Sequence, residues 1–235
     1  MVRIGNYLFH YRNRLFPVLY VCLFIPSPKI FGNPLIPIVL GFLVAVSGQM
    51  IRFATIGLKY IIRGGRNRRV YAEDLVTEGL FAHVRNPLYV GNALVIIGLG
   101  IMSNSLFFNL IMTPLFLFSY QAIVRAEENY LQDKFGPGFI EYCAEVNRWI
   151  PNFKGLGSTL NTMEFHWPRV IVKEYGATYV WLTGATLIIF KTEYFYQGGK
   201  YFDDYRNPLV MVLIGLLVLY LTARHLKKSK ILSGE

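Results

Sequence analysis

A 235-residue chain that is 54% hydrophobic and only 16% charged, with a formal net charge of +10, is too apolar for an ordinary soluble domain. Its apolar residues are gathered into long blocks, and those blocks lack the alternation of barrel strands, so transmembrane helices are the class that remains. Neither Cys22 and Cys143 nor the scattered His10, His83, His166 and His225 have metal-ligand spacing, and no metal is expected.

In chain order, the first block is Leu15–Ile25, preceded by Arg3, Arg12 and Arg14 and followed by Pro26 and Pro28. Its charged flank is like that of a signal peptide, but no small-x-small cleavage site follows, and a short first span or re-entrant arm is expected. The blocks Leu35–Leu58, Leu88–Met102, Leu106–Val124, Tyr175–Phe190 and Pro208–Thr222 follow. Each approaches the roughly 20 residues of helix that cross a hydrocarbon core. The first connection carries only Lys29, and Ser103–Ser105 carries no charge. Basic residues gather instead at the N-terminus, in Lys59–Arg69, across Arg125–Glu174 and in the tail. This alternation is what the positive-inside rule gives about six spans with both termini cytoplasmic. It accounts for the basic run Arg63–Arg69 better than a nucleic-acid partner does, and basic segments on that face would attract anionic lipid headgroups. Cys22 and Cys143 then fall in different compartments, so no disulfide is expected. The expected fold is an all-α polytopic bundle forming one membrane domain. Residues 1–78 hold the first spans and the basic loop, 79–151 a catalytic core, and 152–235 a loop plus two further spans.

Local signals place the remaining elements. Asn86-Pro87 is a helix start, since Asn suits the N-cap and Pro the first helical position. With Arg85 beside it, this positive helix end suits a carboxylate or phosphate, although Arg85 alone would equally suit an interfacial anchor. Helix is expected to continue from Gln121 to Phe135 and to stop at Gly136-Pro137. Phe139, Tyr142, Cys143, Val146 and Ile150 form the apolar face of a short helix ending before Pro151 and lying over the bundle mouth. Loop is expected over Asn152–Arg169, and Tyr194, Phe195, Tyr196, Tyr201, Phe202 and Tyr205 form an interfacial aromatic belt. Glu127-Glu128 at the membrane edge is either a functional acidic pair or a solvated helix face. Gly98-Leu99-Gly100 by itself indicates close helix packing.

Together these pieces resemble one family. The run from Gly79 to Gly91, with Arg85-Asn86-Pro87-Leu88-Tyr89-Val90-Gly91 at its end, is similar to the signature of the isoprenylcysteine carboxyl methyltransferase and phospholipid methyltransferase superfamily. Gly98-Leu99-Gly100, then Asn104, then Arg125-Ala126-Glu127-Glu128, Leu131, Phe135-Gly136, Tyr142 and Pro151 continue the pattern in order. The resemblance covers Gly79–Pro151. It implies a methyltransferase that takes S-adenosylmethionine from the cytoplasm and a lipophilic acceptor from the bilayer. Arg85, Asn86, Tyr89, Gly98, Gly100, Glu127 and Glu128 would line the cofactor site. Arg85 would hold the methionine carboxylate, a Glu would hold the ribose or amino group, and Arg125 would hold an anionic acceptor. Catalytic roles thus fall to Arg85, Arg125 and Glu128. The family's usual His is Asn86 here, which keeps the cap but cannot shuttle a proton. Two other readings stay open: an NADPH-dependent sterol-type reductase, and a non-catalytic membrane protein of the same fold.

Overall fold

The computed structural model describes residues 1–59, 72–196 and 202–232, and the regular structure among them is helical apart from one isolated bridge between Lys29 and Ser105. The elements are α1 (Val2–Val21), α2 (Leu35–Leu58), α3 (Pro87–Ser103), α4 (Thr113–Phe135), α5 (Pro137–Glu145), α6 (Leu156–Thr162), α7 (Trp167–Tyr196) and α8 (Phe202–Lys228). A π-helical turn, Phe108–Met112, leads directly into α4. The basic run Arg63–Arg69 and Tyr201 lie outside the described residues, while Tyr194 and Tyr205 of the expected aromatic belt are exposed. Among the described residues, two helices, Leu35–Leu58 and Asp204–Lys228, are long and apolar enough to cross a bilayer, and Pro87–Ser103 is a shorter apolar helix.

Small residues decide how the helices approach. On α2 and α3, Gly41 meets Gly98 and Gly48 meets Gly91, so the two run antiparallel. A Cβ on Gly98 would stand 2.5 Å from both Ala45 N and Gly41 O, and one on Gly48 would stand 2.5 Å from Gly91 O. Only glycine permits that backbone contact. Helix α1 lies antiparallel on α4 by the same device: Gly5 sits against Ala122 and Ala126, while Phe16 reaches Phe116 and Tyr120. The core between these pairs is built from Leu23, Ile96, Leu99, Phe108, Phe116 and Ile188. Helix α7 packs back on α2 and α3, and α8 packs on α7 through Tyr175, Tyr179 and Tyr220.

Three boundaries differ from the sequence expectation. Helix α1 starts at Val2, well before Leu15, and carries Arg3, Arg12 and Arg14 within it. Charge lowers hydropathy without interrupting helical hydrogen bonding, so the apolar block marked only part of the helix. Gly136 and Pro137 separate α4 from α5 as expected, with Gly136 at φ +54°, but α5 ends at Glu145 and Val146 is extended. The segment after it is held by pairing with the chain before α3: Arg85 N–H donates to Asn147 O, and Asn152 N–H to His83 O. Finally, Asn152–Arg169 is not all loop, since it contains α6 and the start of α7.

Candidate active site

At one end of the bundle the chain before α3 is pinned from several sides. Gly79, at φ +64°, opens a 3₁₀ turn over Gly79–Ala82. Tyr142 of α5 donates its hydroxyl to Phe81 O at 2.7 Å. The buried His83 ring joins Asn152 O at 2.7 Å and Thr159 Oγ1 at 2.9 Å, which makes it a structural peg. These contacts fix where α3 begins and carry the segment after α5 across its start.

That crossing delivers Arg148 to Glu128. Arg148 Nε lies 2.9 Å and 2.8 Å from the two carboxylate oxygens, and its Nη2 lies 2.6 Å from Oε2. Glu128 is buried, and Arg85 Nη1 approaches it at 3.5 Å. The carboxylate's hydrogen bond holds the Arg148 guanidinium above its already high pKa, outweighing the opposing effect of burial. Asn86 occupies the cap position of α3 with Pro87 following, but its side chain makes no capping bond. Its Nδ2 turns instead to Glu128 Oε1 at 3.5 Å and Arg148 O at 3.4 Å. The expected cap residue has exchanged its local role for one in this cluster.

One turn further along α3, Tyr89 donates its hydroxyl to Glu127 Oε1 at 2.7 Å. Asn86, Tyr89 and Glu127 all line a cavity of about 780 Å³ between α1, α3, α4 and α7. Its remaining wall is mainly apolar and aromatic, including Phe16, Tyr20, Leu99, Tyr120, Ile123 and Trp181. An apolar hollow with a few convergent polar groups is the usual form of a small-molecule site.

Of the residues expected in the site, Arg85, Asn86, Tyr89, Glu127 and Glu128 come together here. The others do not. Arg125 is exposed and does not line the cavity. Gly98 packs against α2, and Gly100 lies beneath Phe108, Asn109 and Thr113, so both serve helix contact while Leu99 between them faces the cavity. Asn104 caps α3 in the left-handed region at φ 51° and clamps the Lys29–Phe31 loop, accepting from Ile30 and Phe31 N–H at 3.0 Å and 2.9 Å. Two features were missed. Arg148 counted only as one more cytoplasmic charge. Arg52 of α2 also lines the cavity and is gripped by Glu174 of α7, with Nε–Oε2 at 2.7 Å and Nη2–Oε1 at 2.6 Å.

The phospholipid methyltransferase family model matches residues 30–138. The chain is 30% identical over 155 residues to the cobalt-zinc-cadmium resistance protein CzcN of Cupriavidus metallidurans, covering 63% of this chain and 66% of that one. It is 31% identical over 116 residues to the nickel-cobalt-cadmium resistance protein NccN of Alcaligenes xylosoxydans xylosoxydans, covering 49% and 53%. It is also 31% identical over 121 residues to the protein-S-isoprenylcysteine O-methyltransferase of Schizosaccharomyces pombe, covering 48% of each chain. The chain thus spans from about half to just under two thirds of the length of these relatives. No solved structure matches it. The family match and the two long apolar helices suggest a membrane protein of the methyltransferase class. The family model and the Schizosaccharomyces pombe relative support the isoprenylcysteine carboxyl methyltransferase and phospholipid methyltransferase superfamily for this chain.

Proposed function

We propose that the protein is an integral membrane methyltransferase that uses S-adenosylmethionine and methylates a lipophilic acceptor. The observation that carries this is the meeting, around the start of α3, of Glu127 with Tyr89 and of Glu128 with Arg148 and Arg85, beside a mainly apolar cavity that Asn86, Tyr89 and Glu127 line. The residues present fit the cofactor. Arg85 Nε is buried and has no hydrogen-bond partner among the described residues, so it is a donor waiting for an anion such as the methionine carboxylate. Glu127, at the cavity wall, offers a carboxylate to ribose hydroxyls or an ammonium. Bound S-adenosylmethionine would supply an electrophilic methyl group on a positively charged sulfur.

The protein's own share is alignment and exclusion of water. Arg148 and Asn86 immobilise Glu128, Tyr89 immobilises Glu127, and the aromatic wall keeps the reacting atoms dry. Such positioning lowers the barrier of an in-line displacement without any group on the enzyme changing its protonation. The acceptor would enter from the bilayer. The charged ends of α1, α2, α4 and α8 gather with Arg148 and Lys154 at one end of the bundle, which supports six spans with both termini and the cofactor mouth cytoplasmic. In this reading 79–151 is the catalytic core and 152–235 a two-helix addition. No nucleic acid or metal takes part.

Calorimetric titration of the purified protein with S-adenosylmethionine, with NADPH as the control ligand, tests the proposal. Saturable binding of S-adenosylmethionine that is lost in Glu128→Gln, with the variant's circular dichroism unchanged, is the expected result. Binding of NADPH alone would make the protein a reductase. Binding of neither ligand by folded protein would remove the enzymatic reading.

A further inference from the structure

A second hollow, of about 650 Å³, opens between the start of α1 and the end of α4. Ala126, Asn129, Tyr130 and Asp133 form its α4 wall, spaced as one face of a helix. The neighbouring face, Tyr120, Ile123 and Glu127, lines the first cavity, and the two hollows share no lining residue. On α1 they are divided by Phe9. It is 3% exposed, borders the second hollow, and carries on its ring, at 4.1 Å, the guanidinium of Arg12, which borders the first.

The second hollow is aromatic and acidic. Tyr7 and Tyr11, one turn apart on α1, have ring centroids 4.7 Å apart, and His10 meets Tyr11 edge-on at 4.7 Å. Tyr130 adds a third phenol ring from α4. Asp133 accepts a hydrogen bond from Asn129 Nδ2 at 2.9 Å and makes no ion pair among the described residues. No Lys or Arg lines the hollow, although the chain carries a net charge of +10. Ring faces and a carboxylate both attract a cation. A hard metal ion needs several oxygen ligands, and this wall offers a single carboxylate. A weakly hydrated organic cation needs ring faces and one counter-charge, which is what stands here.

From this composition we propose that the hollow between α1 and α4 is a binding site for an organic ammonium group, distinct from the cavity assigned to methyl transfer. The cation rests against Tyr7, Tyr11 and Tyr130, and Asp133 balances its charge. No bond is made or broken there, and the ligand is held rather than converted. The proposal does not depend on the methyl-transfer reading, because none of the residues it uses lines the first cavity. An ammonium of this kind reaches the protein on the head group of a bilayer lipid or as a free solute, and the recognising chemistry is the same for both.

The test is calorimetric titration of the full-length protein, in a maltoside detergent that carries no ammonium, with choline chloride and with its uncharged carbon isostere dimethylbutanol. Choline should bind saturably and at least about tenfold more tightly than the isostere. Asp133→Asn should weaken choline about fivefold, the equivalent of about 1 kcal/mol. Tyr7→Leu should weaken it to a similar degree, whereas Tyr7→Phe, which keeps the ring face and loses the hydroxyl, should stay within about twofold. Tyr7 and Asp133 are exposed, so the core does not depend on them. Should either variant not fold, Tyr11→Leu set against Tyr11→Phe makes the same comparison. Monomeric dihexanoylphosphatidylcholine identifies the source: tighter binding than choline supports a lipid head group, and binding no tighter supports a free solute. Choline that binds no better than dimethylbutanol overturns the proposal. So does an affinity unchanged in both Asp133→Asn and Tyr7→Leu, which would put the choline in another part of the molecule.

Discussion

Arg148 supplies most of what holds Glu128 in place, since the remaining partners, Arg85 and Asn86, both stand at 3.5 Å. Arg148→Ala therefore leaves a buried carboxylate underbonded. Hydrogen bonds to charged groups are each worth about 1.5–3 kcal/mol, and Arg148 is partly exposed, so a loss of about 2 kcal/mol is expected. Thermal melting in detergent would read it, with Arg148→Lys intermediate because an ammonium cannot grip both oxygens. Titration does not substitute for mutation here. The hydrogen bond that Arg148 donates to Glu128 raises the Arg148 pKa, so this group's contribution is complete below its ordinary value and is lost only as pH rises through the raised one. Melting between about pH 6 and 9 should show no decline from Arg148. The sequence hid the pair because the partners are 20 positions apart and Arg148 follows the general rule for cytoplasmic charge. Asn86 was half legible: its place at the start of α3 follows from Asn-Pro, whereas its turn toward Glu128 depends on a segment that folds in from beyond α5.

At the scale of the helices, hydropathy located α2 and α3 almost to the residue because their few polar residues, such as Gln49, Arg52 and Asn92, do not break the apolar run. It failed at α1 and α7, where helix and charge coincide. Glu174 was placed at the end of the connection Arg125–Glu174, yet it lies within α7 and faces Arg52. An ion pair between two helices is invisible to a method that counts each charge against its own span. The glycine contacts were legible in kind, as close packing, but not in partner. They carry a sharp expectation. Gly98→Ala puts a methyl against the α2 backbone, which cannot move aside as a side chain would, and overpacking of this sort costs about 1–3 kcal/mol. Gly215→Ala in α8 meets nothing within 4 Å and should be neutral or stabilising by up to about 1 kcal/mol through helix propensity. Parallel melting curves decide. A Gly98→Ala variant as stable as Gly215→Ala would mean that α2 and α3 do not touch as described.

For the molecule as a whole, α7 and α8 are tied to the rest of the bundle at both ends. Lys191 donates to Leu23 O at 2.8 Å at one end of α7, and the Arg52–Glu174 pair closes the other. Helix α8 touches mainly α7 and leaves Met211 and Leu219 71% and 67% exposed, as a lipid-facing span would. If every long helix crosses the membrane, the turn around Gly32 and the end of α8 near Ser229 must lie on opposite sides, since an odd number of crossings separates them. Both positions are exposed, and a side chain at Gly32 meets nothing within 4 Å. Single cysteines there, Gly32→Cys and Ser229→Cys, in a Cys22→Ser, Cys143→Ser background, can be challenged in intact cells with a membrane-impermeant maleimide. The six-span arrangement requires Gly32→Cys to label directly and Ser229→Cys to label only after permeabilisation. Direct labelling of both would mean an even number of crossings between them. At least one of α2, α3, α4, α7 and α8 would then lie in the interface rather than across the bilayer, and the helix to suspect first is α3, whose apolar length is the shortest and whose start is held outside by Arg85 and Asn147.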